Sequence, residues 1–400
     1  MSERIPGSPF SDLVVVELAD TPAGEHTGKL MADAGATVIK VEPAEGATSR
    51  RTGPWLEGRP GADRSLSFWV YNTSKQSVVI DGPDPADGPL AALLDRADVV
   101  ITTDGPARLA ERGLTPEALV AGRPRLIVLS VSPFGLTGPW ADYRTTDLVG
   151  LAAGGPLNSC GYDDHSIPPI LPGGNQAFQN AASYATMSLL LALLQRQVDG
   201  LGQVVDVSMH EANAVSGELA NPYYFYPKAV VQRQTARHAQ PVPTQPALFP
   251  CADGYVYFAL ILGDLHLWKS LVAWMDAADL AADLVDPAYE DFAHRQAQFS
   301  HVQEVLEVFF LLHDADTLYL EGQARGLPVG PLRAFEDLPQ DEHLRAREFF
   351  LEVPVATDEG ERAALFPGAP FRFSAFEPQP SRPPRLGEHD VAVAGGGGDA

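Results

Sequence analysis

The chain has 400 residues, 45% of them apolar and 20% charged, enough to bury a large core and to form two or three domains. Its 52 acidic against 28 basic side chains leave a formal charge of −24, which excludes nucleic acid and an anionic membrane as main partners because both select basic surfaces. Two cysteines, Cys160 and Cys251, exclude a disulfide framework and a Cys-x-x-Cys site, and they fit a reducing cytoplasm.

Residues 1–12 are polar and carry Pro and Gly, and the apolar run at 13–16 is cut by Glu17, so neither a signal peptide nor a membrane span is expected. Short β-branched runs at 13–18, 37–41, 77–80, 99–102 and 126–131 predict strands. Helical stretches at 28–34, 85–94 and 106–112 lie between them, and Thr115-Pro116 opens another with an N-cap and a proline. That alternation predicts an α/β fold, a Rossmann-like parallel sheet with helices on both faces. The turn Ala19-Asp-Thr-Pro-Ala-Gly24 lacks Gly-x-Gly-x-x-Gly, which excludes a dinucleotide fingerprint.

A long helix is predicted over 176–196, its apolar stretch 189–194 reading as the end of a buried helix, with a strand at 203–207. Past Glu211 the chain turns aromatic and Pro-rich. The expected division is a large domain at 1–212, a linker at 213–250, a smaller α/β middle domain at 251–328 and a return linker at 329–350. Residues 351–400 complete the large domain and end in a flexible Gly tail at 394–400. The middle domain opens at Gly254-Tyr-Val-Tyr-Phe-Ala259 and continues through helices at 266–275 and 302–313. There is no internal repeat.

Two motifs carry most of the remaining information: Met31-Ala-Asp-Ala-Gly-Ala-Thr-Val-Ile-Lys-Val-Glu-Pro43 and Gly200-Leu-Gly-Gln-Val-Val-Asp-Val-Ser-Met-His-Glu-Ala212. With Tyr71-Asn-Thr-Ser-Lys-Gln-Ser-Val-Val-Ile-Asp81, Gly135-Leu-Thr-Gly-Pro139 and Pro384-Arg-Leu-Gly-Glu-His389, their order resembles the class III CoA-transferases. That family includes formyl-CoA transferase and the 2-methylacyl-CoA racemases. The resemblance implies a Rossmann-like large domain built from both chain ends, a small middle domain, and two subunits interlocked like linked rings. It also implies coenzyme A or an acyl-CoA as substrate beside a carboxylic acid, with no tightly bound cofactor.

At positions matching the family's phosphate contacts stand Lys40, Lys75 and Arg144, with Arg50 and Arg51 close behind the first motif. Where relatives carry Asn-Phe and then an arginine, this chain has Thr103, Asp104 and Glu111, two of them acids that repel phosphate, and Arg112 is the expected substitute. Family transferases use one aspartate near the start of the long helix to attack the thioester and form a mixed anhydride. Counting back from Arg196, that position falls on Phe178. The racemases' histidine position falls on Thr146. Asp147 is the acid that remains, as a catalytic group or as a cap for the helix at 148–153. Asp163 and Asp164, beside His165, offer replacement carboxylates or are solvated turn residues. Cys160 reads as a nucleophile or an inert thiol, and the histidine spacing predicts no metal site.

Three functions compete. In the first, the chain is a catalytically altered family subunit, and a homologous catalytic subunit in a heteromer supplies the acid. The second is an active enzyme, such as a homodimer, with repurposed chemistry on Asp147 or on Asp163 and Asp164. The third is a non-enzymatic dimeric binding protein.

Overall fold

The computed structural model describes residues 8–390 apart from 83, 218, 260–262, 358–359 and 379; the Gly tail expected at 394–400 lies outside the described residues. Two compact units share the chain. One contains the described residues up to Asn158, then Ile170–Pro222 and the chain from Glu342 onward; the other contains Ser159–Pro169 and Tyr223–Asp341.

In the first unit six strands, β1 (Val14–Glu17), β2 (Thr37–Glu42), β3 (Gln76–Val79), β4 (Val99–Thr102), β5 (Ile127–Ser132) and β6 (Val204–Ser208), form one parallel sheet. Their order is β3-β2-β1-β4-β5-β6, the doubly wound arrangement whose strand order reverses beside β1. Val15 lies opposite Val38 on one side and Val99 on the other. Alternate side chains go to opposite faces. Val15, Ile101 and Leu129 join one apolar layer, and Val16, Val100 and Val128 join the other.

Helices α1 (Pro22–Asp33), α2 (Leu66–Tyr71), α3 (Gly88–Leu94), α4 (Pro106–Glu111), α5 (Pro116–Val120), α6 (Asp147–Gly154), α7 (Gln176–Asp199) and α8 (Met209–Val215) surround the sheet. Helix α1 starts ahead of the expected residue 28, because Pro22 stands at the first helical position, where a missing N–H leaves no bond unmade. A Cβ at Gly28 would come within 1.8 Å of Glu17 Oε2, so α1 approaches the sheet on a glycine.

Helix α7 lays Ala177, Ala181, Ala185, Leu189 and Ala192 against the sheet, a row of mostly small residues that permits close approach. Its outer face is apolar too. Tyr184, Met187, Leu191, Leu194 and Val198 follow one another at spacings of three and four and are exposed, Leu191 by 66% and Val198 by 82%. The expectation of a buried helix at 189–194 therefore holds for Leu189, Ala192 and Leu193 and fails for Leu190, Leu191 and Leu194. Length and composition alone would let α7 cross a membrane, yet here it packs on α1, β5, β6 and α8.

The C-terminal part returns through an antiparallel hairpin, Phe350–Thr357 with Gly360–Pro367, whose Phe366 stacks on Trp69 of α2 at 6.2 Å. The chain then runs along β3, the edge of the sheet. His389 N donates to Ser77 O, Ser77 N to His389 Nδ1, Gly387 N to Ser77 Oγ and Val79 N to Asp390 Oδ1. Edge amides that would otherwise invite another strand are covered. Glu388 fixes this strap by pairing with Arg382 and accepting from Arg385 N at 2.9 Å.

The second unit has a three-stranded antiparallel sheet, Val329–Pro331, Gly254–Phe258 and Leu248–Cys251 in that order. Helices Leu265–Asp276, Phe299–Leu311 and Ala315–Ala324 accompany it. A core of Phe249, Phe258, Trp268, Trp274, Phe309 and Phe310 holds them together. Residues 223–250 and 329–341, expected as linkers, belong to this unit because each contributes a strand to its sheet.

Arg382 draws the Glu388 carboxyl down to about 2 from the ordinary 4.5. A depressed carboxyl contributes stability that is complete above pH 4.5 and is lost as pH falls from there toward 2. Glu388→Gln is expected to flatten that part of the curve of urea midpoint against pH.

Candidate active site

In an open parallel sheet, ligands bind beyond the carboxyl ends of the strands, beside the reversal of strand order. There this protein has a cavity of about 320 Å³. Leu18 and Asp20 after β1, Glu42 and Pro43 at the end of β2, Ile80 after β3, and Arg108 and Arg112 of α4 line it.

Beneath that edge lies a buried cluster of four charges. Lys40 Nζ pairs with Glu17 at 3.0 Å and Glu25 at 2.9 Å, and Lys75 Nζ pairs with Glu17 at 2.7 Å. All four side chains are wholly buried. Lys40 also donates to Ala19 O, and Lys75 to Glu25 O and Asn72 Oδ1. Charges out of water persist only when paired and hydrogen-bonded. Burial opposes the charge on Lys40, but Glu25 and Glu17 outweigh it and push its pKa up. Burial dominates at Lys75; with Lys40 nearby it outweighs Glu17 and lowers the ammonium to about 8.

Arg50 is buried as well. Its guanidinium donates to both oxygens of Glu42, at 2.6 and 2.9 Å, to Asp63 at 2.9 Å and to Pro384 O, and it lies 3.6 Å above the Phe68 ring. Lys40, Arg50 and Lys75, expected at a phosphate-facing patch, pair here with carboxylates beneath the sheet edge. A phosphate would reach them only by displacing an acid.

The cations that do face the cavity are Arg108 and Arg112. Arg112 pairs with Asp104 at 2.6 Å and Arg108 with the same carboxylate at 3.2 Å. Asp104, expected to repel a nucleotide, is thus matched by two arginines. Arg108 was legible only as the cation four positions after Asp104. Thr103 Oγ1 accepts from Asp20 N and fastens the turn after β1, while Glu111 is exposed on α4. Arg144 is exposed, on the loop between β5 and α6.

At the start of α7 the arrangement is uncharged save for Asp147. Thr146 is the cap of α6, accepting from Val149 N. Asp147 turns instead to the neighbouring helix, where its Oδ1 accepts from Ala177 N at 2.8 Å. Phe178 follows and packs on the core layer. Asn175 has φ +55 and leaves the cap unmade; its Nδ2 donates to Tyr71 Oη at 3.1 Å, as does Gln179 Nε2 at 3.2 Å. His26, 5.8 Å from the Tyr71 ring, is pushed toward the neutral form by burial, against its hydrogen bond with Gln179. Sequence reasoning passed over His26 and Tyr71, which carry no motif. Arg196, the reference for counting along α7, is buried and tied to Asp98 and to the carbonyls of Asp98 and Arg125.

In the second unit Asp163 forms a forked pair with Arg237 at 2.8 and 3.0 Å, Asp164 accepts from Ser166 N and Oγ, and His165 Nε2 meets Arg233 O at 3.0 Å. These side chains hold the loop to the hairpin Gln232–Gln234 and Arg237–Gln240. Burial pushes the Cys160 thiol up, which keeps it protonated. Among the described residues no three His, Cys, Asp or Glu side chains are placed to hold a metal.

A family model described as CoA-transferase family III matches residues 10–390. The chain belongs to this family. The succinyl-CoA:(R)-benzylsuccinate CoA-transferase subunit BbsE of Thauera aromatica is 33% identical over 96% of this chain and 93% of its own length. The succinyl-CoA–D-citramalate CoA-transferase of Chloroflexus aurantiacus is 32% identical over 88% of this chain and 85% of its own. Among solved structures, a CaiB/BaiF family protein from Brucella suis superposes with a TM-score of 0.79 at 26% identity, covering 98% of this chain and 99% of that one. The mixed α/β fold with its parallel sheet is the family's own.

Between pH 8 and 10.5 the unfolded chain keeps the Lys75 proton and the folded protein has released it, so this group makes stability rise with pH across that window. Lys40, shifted the other way, acts only above pH 10.5. Lys75→Met is expected to remove the rising limb and to lower the urea midpoint at pH 7, since Glu17 then shares a single ammonium.

Proposed function

We propose that this chain is a subunit of a CoA-transferase acting between an acyl-CoA and a carboxylic acid, in which Phe178 stands at the position of the family's nucleophilic aspartate. A homologous partner chain supplies the missing carboxylate. The observation that carries this reading is the first turn of α7. Phe178 there offers an apolar ring packed on the core, and the neighbouring acid, Asp147, has an oxygen engaged by Ala177 N. Phenylalanine has no atom that can attack a thioester.

Two further observations support a paired assembly. The Thauera relative is itself named as a subunit, and the exposed apolar stripe from Tyr184 to Val198 on α7 is the kind of surface that subunits bury. In this reading two family chains interlock, either this chain with a catalytic homologue or, where no homologue is present, two copies of it. CoA enters the cavity at the carboxyl edge and its phosphates meet Arg108 and Arg112, with Arg144 as a third cation. Lys40, Arg50 and Lys75 keep that edge rigid from beneath. The loop acids Asp163 and Asp164 stay structural, committed to Arg237 and Ser166.

Hydroxylamine converts an acylated carboxylate to a hydroxamate, and mass spectrometry locates it. Incubated alone with an acyl-CoA and hydroxylamine, this chain is expected to keep its unmodified mass; co-purified with a homologous subunit, it is expected to leave the label on an aspartate of that subunit. A hydroxamate on Asp147, Asp163 or Asp164 of the chain alone would overturn the proposal in favour of repurposed chemistry.

Asp147→Ala separates capping from catalysis. Loss of the bond to Ala177 N should cost about 1 kcal/mol of stability, read as a lower melting temperature, while CoA exchange by the assembled enzyme stays near wild type.

A further inference from the structure

The strap along β3 is closed by a residue whose backbone donates and whose side chain accepts. His389 N donates to Ser77 O at 2.9 Å, and Ser77 N donates back to His389 Nδ1 at 3.2 Å. An imidazole nitrogen accepts a hydrogen bond only while it carries no proton, so the form that fits is the neutral ring with its proton on Nε2. Protonation would set one N–H against another. The closure also adjoins the cavity: Ser77 Oγ accepts from Gly387 N at 3.0 Å and donates at 2.6 Å to Oε1 of Glu42, a residue of the cavity wall.

From this geometry we infer that His389 is a proton-sensitive latch, which below neutral pH releases the C-terminal strap and uncovers the edge of β3 beside the cavity. Burial lowers the pKa of the ring from the ordinary 6.5; Glu388 and Asp390 of the strap oppose this, and Arg382 reinforces it. From β3 no titratable side chain is added between Gln76 and Ile80. Behind Ser77, burial works against the charge on Glu42, but Arg50 outweighs it and holds that carboxyl below the usual range. Arg382 holds Glu388 at about 2. Both acids therefore stay ionised from pH 7 to pH 5, while the ring takes up a proton. A histidine that is harder to protonate in the latched state than in the released one makes latching weaken as pH falls below 6.5.

Hydrogen exchange on the full chain at pH 7 and pH 5 reads the latch at the amides of Ser77 and Val79, the second of which donates to Asp390 Oδ1 at 2.8 Å. Expressed as protection relative to the unfolded chain, both are expected to lose about tenfold between the two conditions, while the amides of β1 keep theirs. His389→Asn, which offers a non-titrating acceptor near the place of Nδ1, should make the protection of Ser77 independent of pH. His389→Ala should lower it at both values. In NMR the His389 ring of the wild type should titrate below 6.5, a readout that needs no variant. Protection of Ser77 that stays constant in the wild type, an equal loss at β1, or a fall that survives in His389→Asn would overturn the inference. So would wild-type protection in His389→Ala at pH 7, or a ring midpoint at 6.5 or above.

Discussion

Four charges with no access to water hold the carboxyl edge of the sheet in place. Glu17 ends β1, Lys40 lies on β2, Glu25 on α1 and Lys75 just before β3, so one cluster ties together every element that borders the cavity on that side. Two ammoniums and two carboxylates sum to zero, and each member is intolerable without the others. Gly28 belongs to the same constraint, because a Cβ there would strike Glu17 Oε2. Turns after β1 and β2 are consequently fixed before any ligand arrives.

A second pair extends this frame outward. Arg50 spans from Glu42 at the end of β2 to Asp63 and to the carbonyl of Pro384, joining the amino-terminal half of the unit to the returning C-terminal segment. In a protein with net charge −24, cations committed in this way are withdrawn from the surface, and the potential in the cavity depends on the two that line it, Arg108 and Arg112. Asp104 tempers both. Affinity for a polyanion is therefore set by a small local surplus against a repulsive background.

Much of the sheet was readable in the sequence because buried parallel strands must be continuous β-branched runs, and five such runs between turn residues leave few alternatives. Pro22 misled for a physical reason: proline marks turns and first helical positions alike, and only packing decides between them. The site was less legible. Charge at Lys40, Arg50 and Lys75 is evident in the sequence, but burial is a property of the whole fold, and no local pattern shows that these cations pair with carboxylates inside it. Likewise Asp147 caps a helix that begins about 30 positions later, a pairing that no local pattern encodes. The short aromatic helix α2 was missed because its six residues are too few to display a period.

The strap along β3 has a consequence for how the protein is made. Ser77 and Val79 find their partners in Gly387, His389 and Asp390, more than 300 positions away along the chain. A ribosome makes those partners more than 300 residues after the strand, so over that stretch of synthesis the sheet carries an open edge with its amides unpaired. The Rossmann-like core of this protein therefore depends on a segment made long after it, and premature termination anywhere before residue 387 yields a chain whose finished strands still lack their border.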